Sequence, residues 1–199
     1  LLAPFHRCVG NAVVQARARE LYDAWQQDPA KANRDLQPAF VSILAHSGDA
    51  KRYQEFKKHF KSARTPQEEQ RYLFSLANFR DLGLLRQTME MTLNGDVRTQ
   101  NSPYLLHSLL ANNVSRIEAW EYIKRNWETI VGKFPDSALP RMCEAINGLL
   151  DRQKEVEDFF HVHKVRLGGK LIDQHLERLS VAVAFRQREG TKLEASLKS

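Results

Sequence analysis

Residues 115–134 read Ser115-Arg116-Ile117-Glu118-Ala119-Trp120-Glu121-Tyr122-Ile123-Lys124-Arg125-Asn126-Trp127-Glu128-Thr129-Ile130-Val131-Gly132-Lys133-Phe134. Ile117, Trp120, Ile123, Trp127 and Ile130 recur at steps of three and four, the repeat of one helix face and not the alternation of a strand. Ser115 and Glu118 have the spacing of a capping box, which satisfies the first free N–H groups of a helix. The stretch predicts one helix that ends before Pro135, with Trp120 and Trp127 seven apart on its packed face.

The same grammar extends in both directions. Upstream, Val13, Val14, Ala18, Leu21 and Trp25 mark a helix face that stops before Asp28-Pro29. Leu36, Phe40, Ile43 and Leu44 mark a second, closed by Ser47-Gly48. Asp49 is placed to cap a helix carrying Tyr53, Phe56 and Phe60. Thr65-Pro66-Gln67-Glu68 joins a cap, a first-turn proline and a returning carboxylate ahead of Tyr72, Leu73, Leu76 and Phe79. Asp81 opens the segment of Leu84, Leu85, Met89 and Leu93, closed by Asn94-Gly95-Asp96, and Ser102-Pro103 repeats the cap-plus-proline signal before Leu105, Leu106, Leu109 and Leu110. Downstream, Asp136 heads a helix with Leu139, Cys143, Ile146, Leu149 and Leu150, and Asp151 heads one with Val156, Phe159 and Phe160. After Gly168-Gly169 a last helix carries Leu171, Ile172, Leu176, Leu179 and Val183.

The expectation is an all-α chain of about ten helices with short connections, which make consecutive helices antiparallel neighbours. Stacked in sequence, such pairs form an α-solenoid of the HEAT or armadillo kind. The punctuation is only loosely periodic, so an irregular helical bundle stands beside that reading. No linker separates the segments, and residues 1–199 read as a single helical-repeat domain.

Composition narrows the function. A 42% hydrophobic content is too high for a disordered tail, and 9 glycines and 7 prolines are too few for a fibrous chain. No run of about 18 apolar residues occurs, so no membrane span is expected in this segment. Cys8 and Cys143 sit among apolar neighbours and read as two buried thiols, a bridge between them being the alternative. Leu1, not Met, opens the chain, and the expectation is a fragment whose natural polypeptide extends upstream.

Motifs that carry chemistry are missing. None of the seven histidines is followed by glutamate, so the His-Glu-x-x-His zinc motif is absent. His161 and His163 lie two apart, which on a helix turns them to different faces; they read as helix-end histidines rather than metal ligands. There is no Cys-x-x-Cys pair, Gly-x-Ser-x-Gly elbow or phosphate loop, and Gly168-Gly169 reads as a turn. The carboxylate pairs Glu68/Glu69 and Glu157/Asp158 fall on polar faces. Within a net charge of +6 the densest basic run is Lys51, Arg52, Lys57, Lys58, Lys61 and Arg64, interrupted by Glu55. Tyr53, Phe56 and Phe60 within that run sit at core spacing, so it reads as a solvated helix face and not as a nucleic-acid platform. No catalytic residue and no metal ligand is expected here.

A resemblance supplies what the motifs do not. Val97-Arg98-Thr99-Gln100-Asn101 resembles the "V-R-x-Q-D" step of zinc aminopeptidases of the aminopeptidase N type. Arg116, Ala119-Trp120, Lys124 and Asn126-Trp127 resemble their "G-R-x-x-A-W-x-F-x-K-x-N-W" helix, and Glu155-Val156 with Phe159-Phe160 resembles "E-V-x-x-F-F". Gly48-Asp49 with Tyr53, and Leu76-Ala77 with Leu84-Leu85, are similar to two further turns of that family. Asn101 stands in place of an aspartate, Val114-Ser115 in place of the glycine before Arg116, and Tyr122 in place of a phenylalanine.

The resemblance, strongest to puromycin-sensitive and insulin-regulated aminopeptidases, implies the non-catalytic C-terminal helical domain of a peptidase that releases N-terminal amino acids. It implies that the catalytic domain of the same polypeptide and peptide substrates are the partners, that zinc is held in that catalytic domain, and that this segment has no cofactor of its own. It points to Arg98, Gln100 and Arg116 as peptide-binding candidates. For each of these three, bridging between neighbouring helices is the stronger of the two readings. A freestanding helical module that binds protein or nucleic acid is the alternative for the whole chain.

Overall fold

The computed structural model of the chain describes residues 10–28, 33–165 and 167–198. Among these, the elements are eleven α-helices and short 3-10 turns, with no strand. In chain order they are α1 (Ala12–Gln27), α2 (Gln37–His46), α3 (Ala50–Ser62), α4 (Pro66–Ser75), α5 (Leu82–Met91), α6 (Ser102–Ala111), α7 (Arg116–Arg125), α8 (Trp127–Lys133), α9 (Leu139–Met142), α10 (Gln153–Val162) and α11 (Gly169–Lys198). Consecutive members pack as pairs, α1 on α2, α3 on α4 and α6 on α7, as short connections require. The all-α helical-repeat reading holds. The chain divides into two compact units after Thr88, within α5.

In the first unit the core is aromatic. Tyr22, Phe40, Tyr53, Phe56, Tyr72 and Phe79 are all buried. Their rings meet edge to face, as Tyr53 does with Phe79 at 5.2 Å and Phe56 with Tyr72 at 5.3 Å, the arrangement aromatic quadrupoles favour. Start signals act where they were expected. Asp49 accepts from Arg52 N at 2.9 Å, Thr65 from Glu68 N at 3.2 Å and Asp81 from Leu84 N at 2.9 Å. Glu68 turns back to Arg64 N, one residue earlier than a standard capping box. Two expected core positions are not core: Val13 is 77% and Leu36 45% exposed, while Tyr22 takes the buried place on α1.

In the second unit α6, α9 and α11 enclose the 3-10 turn Cys143–Gly148. Five expectations change here. The expected helix from Arg116 to Pro135 is two helices, because Asn126 caps the end of α7 with both its main-chain N–H and its side-chain amide, which donates to Tyr122 O at 2.8 Å. Ser115 flanks α7 with helical dihedrals and makes no side-chain cap; its hydroxyl donates instead to Leu109 O at 2.7 Å. Ser102 lies inside the first turn of α6 and donates to Arg98 O, so it is not the cap either. The helix expected from Asp136 to Leu150 is a chain of short turns, since Pro140 has no N–H to continue a ladder from Asp136. Asp151 precedes α10 within a 3-10 turn and pairs with Arg186 at 2.6 Å. Trp120 and Trp127 are buried against Phe159 and Phe160, both edge-on to Phe159 at 5.1 and 5.2 Å. Cys143 is buried and free, its thiol pushed up to about 12 by burial; Cys8 lies outside the described residues.

Candidate functional site

The two ends of α6 hold the candidate residues, Arg98 and Gln100 before it and Arg116 after it. α6 ends at Ala111, so its last carbonyls have no partner within the helix. Arg116, at the start of α7, fills that need. Its guanidinium donates from Nη2 to Ala111 O at 3.0 Å, from Nε to Leu110 O at 3.3 Å and from Nη1 to Gly148 O at 3.3 Å. A planar fork of donors suits three carbonyls spread around it. The positive charge also meets the negative end of the α6 dipole. Burial lowers the pKa of Arg116, as removal of a cation from water does. The space is provided by Gly148: a Cβ there would lie 2.8 Å from Arg116 Nε. Arg116 thus bridges helices.

Arg98 and Gln100 lie on the turn that leads into α6, and both are exposed. That turn is tied to the helix through the main chain, with Asn101 N donating to Arg98 O at 2.8 Å and Ser102 N at 3.1 Å. Asn101 itself is buried at 7% exposure. Val97 buries beside Asp96, whose N–H is held by Asn94 Oδ1 at 2.9 Å, and Gly95 takes φ +95 to close the loop. The turn before α6 therefore offers two exposed polar side chains and is braced through its main chain. Arg116 braces the opposite end of α6.

A second polar cluster was not singled out in the sequence. Glu155 on α10 accepts from the indole N–H of the buried Trp120 at 3.0 Å, from Arg152 at 2.8 Å and from Lys124. The Lys124 hydrogen bond, with help from Arg152 and Trp120, holds its carboxyl at about 2. The signal for it was present, since Trp120, Lys124 and Glu155 all belong to the matched motifs. Their shared role is structural: they join α7 to α10.

The basic run also divides by role. Arg52 lies over the Tyr22 ring at 5.1 Å and donates twice to Glu55, which accepts the Tyr22 hydroxyl at 2.6 Å. Tyr53, Phe56 and Phe60 are in the core and present no stacking platform. His163 is stacked on Phe159 at 4.2 Å at the end of α10, and His161 is exposed. Among the described residues no three His, Cys, Asp or Glu side chains are grouped so that they could hold a metal ion, and no helix is long and apolar enough to cross a membrane.

Residues 7–181 match the family model of the ERAP1-like C-terminal domain. Aminopeptidase M1-A of Oryza sativa subsp. japonica is 27% identical over 164 residues, covering 80% of this chain and 18% of the relative. Glutamyl aminopeptidase of Mus musculus is 23% identical over 128 residues, 63% of this chain and 14% of the relative. Aminopeptidase M1 of Arabidopsis thaliana is 25% identical over 149 residues, 72% of this chain and 17% of the relative. The chain spans less than a fifth of the length of each of these curated relatives.

Proposed function

The chain belongs to the ERAP1-like C-terminal domain family, and on that premise we propose that it is the non-catalytic helical domain of a zinc metallo-aminopeptidase, packed on the catalytic domain of the same polypeptide. The observation that carries this is the family match over residues 7–181, which takes in nearly the whole helical array. The relatives' names, aminopeptidase and glutamyl aminopeptidase, support release of N-terminal amino acids from peptides as the parent's reaction. In this reading the zinc is held by the catalytic domain of the parent; among the described residues no three His, Cys, Asp or Glu side chains are grouped to hold it. Bound there, zinc would supply Lewis-acid activation of water.

This chain's contribution is geometric and electrostatic. Residues 1–199 act as one terminal domain that forms a wall of the peptide chamber and limits the volume open to water and to long substrates. On that wall Arg98 and Gln100 are the peptide-facing candidates, because they are exposed on a braced turn. Arg98 suits a peptide carboxylate, drawn by charge and held by paired N–H donors. Arg116, with its donors committed to three carbonyls, serves the same function as a positioning residue at the other end of α6.

The test has two parts. The purified 199-residue chain, with zinc added, releases no N-terminal amino acids from peptides. In the parent enzyme, Arg98→Ala and Gln100→Ala raise KM for peptides with a free C-terminal carboxylate and leave an amino-acid amide substrate unchanged. Zinc-dependent release by the isolated chain sinks the non-catalytic reading. Equal effects on peptide and amide sink the peptide-facing one.

A further inference from the structure

His175 lies in α11 and is 2% exposed, the most buried ionisable side chain of that helix among the described residues. Its Nε2 is 3.0 Å from Pro140 O. A carbonyl only accepts, so Nε2 carries the proton and donates, and in the neutral ring Nδ1 is bare. That Nδ1 is buried and has no hydrogen-bond partner among the protein groups. His107 on α6 has a buried Nδ1 in the same condition.

The same proline seats α11 a second time. Gly168, seven residues before His175 and so about two turns away, takes φ +78 and lies against Pro140, where a Cβ would come 2.6 Å from Pro140 Cγ. Ile172, Leu179 and Val183 bury on either side of His175. The helix is therefore held along residues 168–183 by apolar contact, by the His175–Pro140 bond at its middle and by the ion pair of Arg178 with Glu144.

We propose that His175 is a pH-operated latch: neutral, it seats α11 on Pro140 and the Cys143–Gly148 turn; protonated, it loosens that half of the helix. The bond to Pro140 is not what acid breaks, since an imidazolium still donates from Nε2. Acid adds an N–H at Nδ1 with no acceptor and a positive charge shielded from water. The charges around the ring bear on the balance. Burial disfavours the cation most, and Arg178 on α11 and His107 from α6 add to that; the Pro140 bond and Glu144 of the Cys143–Gly148 turn oppose it. Glu144 is itself shared with Arg178, 4.0 Å away. Cys143, in the same turn, stays a neutral thiol, and Arg141 of α9 is exposed. Asp151 of the Leu150–Arg152 turn is engaged by Arg186. From α10 and the turn after it, Glu157, His161, His163 and Lys164 surround the first turn of α11 rather than His175, together with Asp173 of α11.

The folded pKa lies below the ordinary 6.5. The latch's contribution is therefore whole above pH 6.5 and is lost as pH falls from there towards the folded value. Within that window the opening constant rises by up to about tenfold per pH unit.

Hydrogen exchange of the 199-residue chain at pH 7.5, 6.5, 5.5 and 4.5, corrected for intrinsic rates, reads this out. Amides of residues 172–183 lose protection below pH 6.5 while those of α7 in the same unit keep theirs. His175→Gln retains a neutral donor and makes the α11 amides insensitive to pH over this range. His107→Gln removes a repulsion, brings the folded value of His175 closer to its ordinary one and so makes the loss of protection smaller. Flat α11 protection in the unaltered chain overturns the proposal, as does an unchanged pH dependence in His175→Gln. Should that variant not fold, the imidazole resonances of the unaltered chain decide. Titration of His175 below 6.5, together with α11 opening, supports the latch; titration at or above 6.5 with α11 still protected overturns it.

Discussion

Replacing Arg116 by alanine leaves three carbonyls without their donors. The 3.0 Å bond to Ala111 O contributes about 1 kcal/mol, and each 3.3 Å bond, to Leu110 O and Gly148 O, about half of that. A cation lost from the C-terminal end of α6 adds about 0.5 kcal/mol. The expected loss is about 2.5 kcal/mol, or a fall in Tm of about 5–10 °C for a chain of this length. Lysine in the same place keeps the charge but brings one nitrogen to a site that uses three, and recovers about a third of the loss. Gly148→Ala tests the mechanism separately. Its new Cβ, 2.8 Å from Arg116 Nε and 2.9 Å from Cζ, displaces the guanidinium. Alanine at 148 therefore costs much less in an Arg116→Ala background than in the unaltered chain. Urea unfolding followed by circular dichroism measures the unaltered chain and all four variants. A loss below about 0.5 kcal/mol for Arg116→Ala, or strict additivity with Gly148→Ala, refutes the bracing role and returns Arg116 to the list of peptide-facing residues.

Glu155→Ala strips the acceptor from the Trp120 indole and the counter-charge from Lys124 and Arg152, at about 2–3 kcal/mol, whereas Glu155→Gln restores the acceptor and loses about 1 kcal/mol. Because the folded pKa is depressed to about 2 from 4.5, the carboxylate's contribution is whole above pH 4.5 and lost as pH falls towards 2. The side chain is 30% exposed, so screening holds that contribution near the loss seen for glutamine, and Glu155→Gln gives a flatter stability profile over this window. Gly168→Ala, with φ +78 and a contact at 2.6 Å, destabilises by about 2 kcal/mol in thermal unfolding, while Gly169→Ala, with nothing within 4 Å, stays within about 0.5 kcal/mol. Equal effects at the two glycines count against the packing of the turn on Pro140.

The periodic faces were legible because burial repeats along a helix whatever lies opposite. Phe40, Tyr53, Leu105, Trp120 and Val156 are buried as their spacing indicates. The breaks were not legible, because they depend on partners that sequence spacing does not reveal. Ser115 leaves its expected cap because the carbonyl of Leu109, six residues back, is the nearer need. Asn126 ends α7 although the apolar repeat continues through it to Trp127 and Ile130. The candidate site was legible only through resemblance. Nothing in the spacing of Arg116 links it to Gly148, 32 residues on, and Glu155 meets Lys124 across 31 residues. Arg98 and Gln100 were named together, and they do share a turn.

The tryptophans give this chain separate optical reporters. Trp25 stands in the first unit, stacked against Tyr72 at 6.4 Å, while Trp120 and Trp127 stand in the second, clustered on Phe159 and Phe160. Phenylalanine at position 25 silences one unit's emission, and phenylalanine at 120 and 127 silences the other's. Fluorescence then follows each half of the molecule by itself, and the two unfolding curves coincide only if the halves melt as one cooperative body.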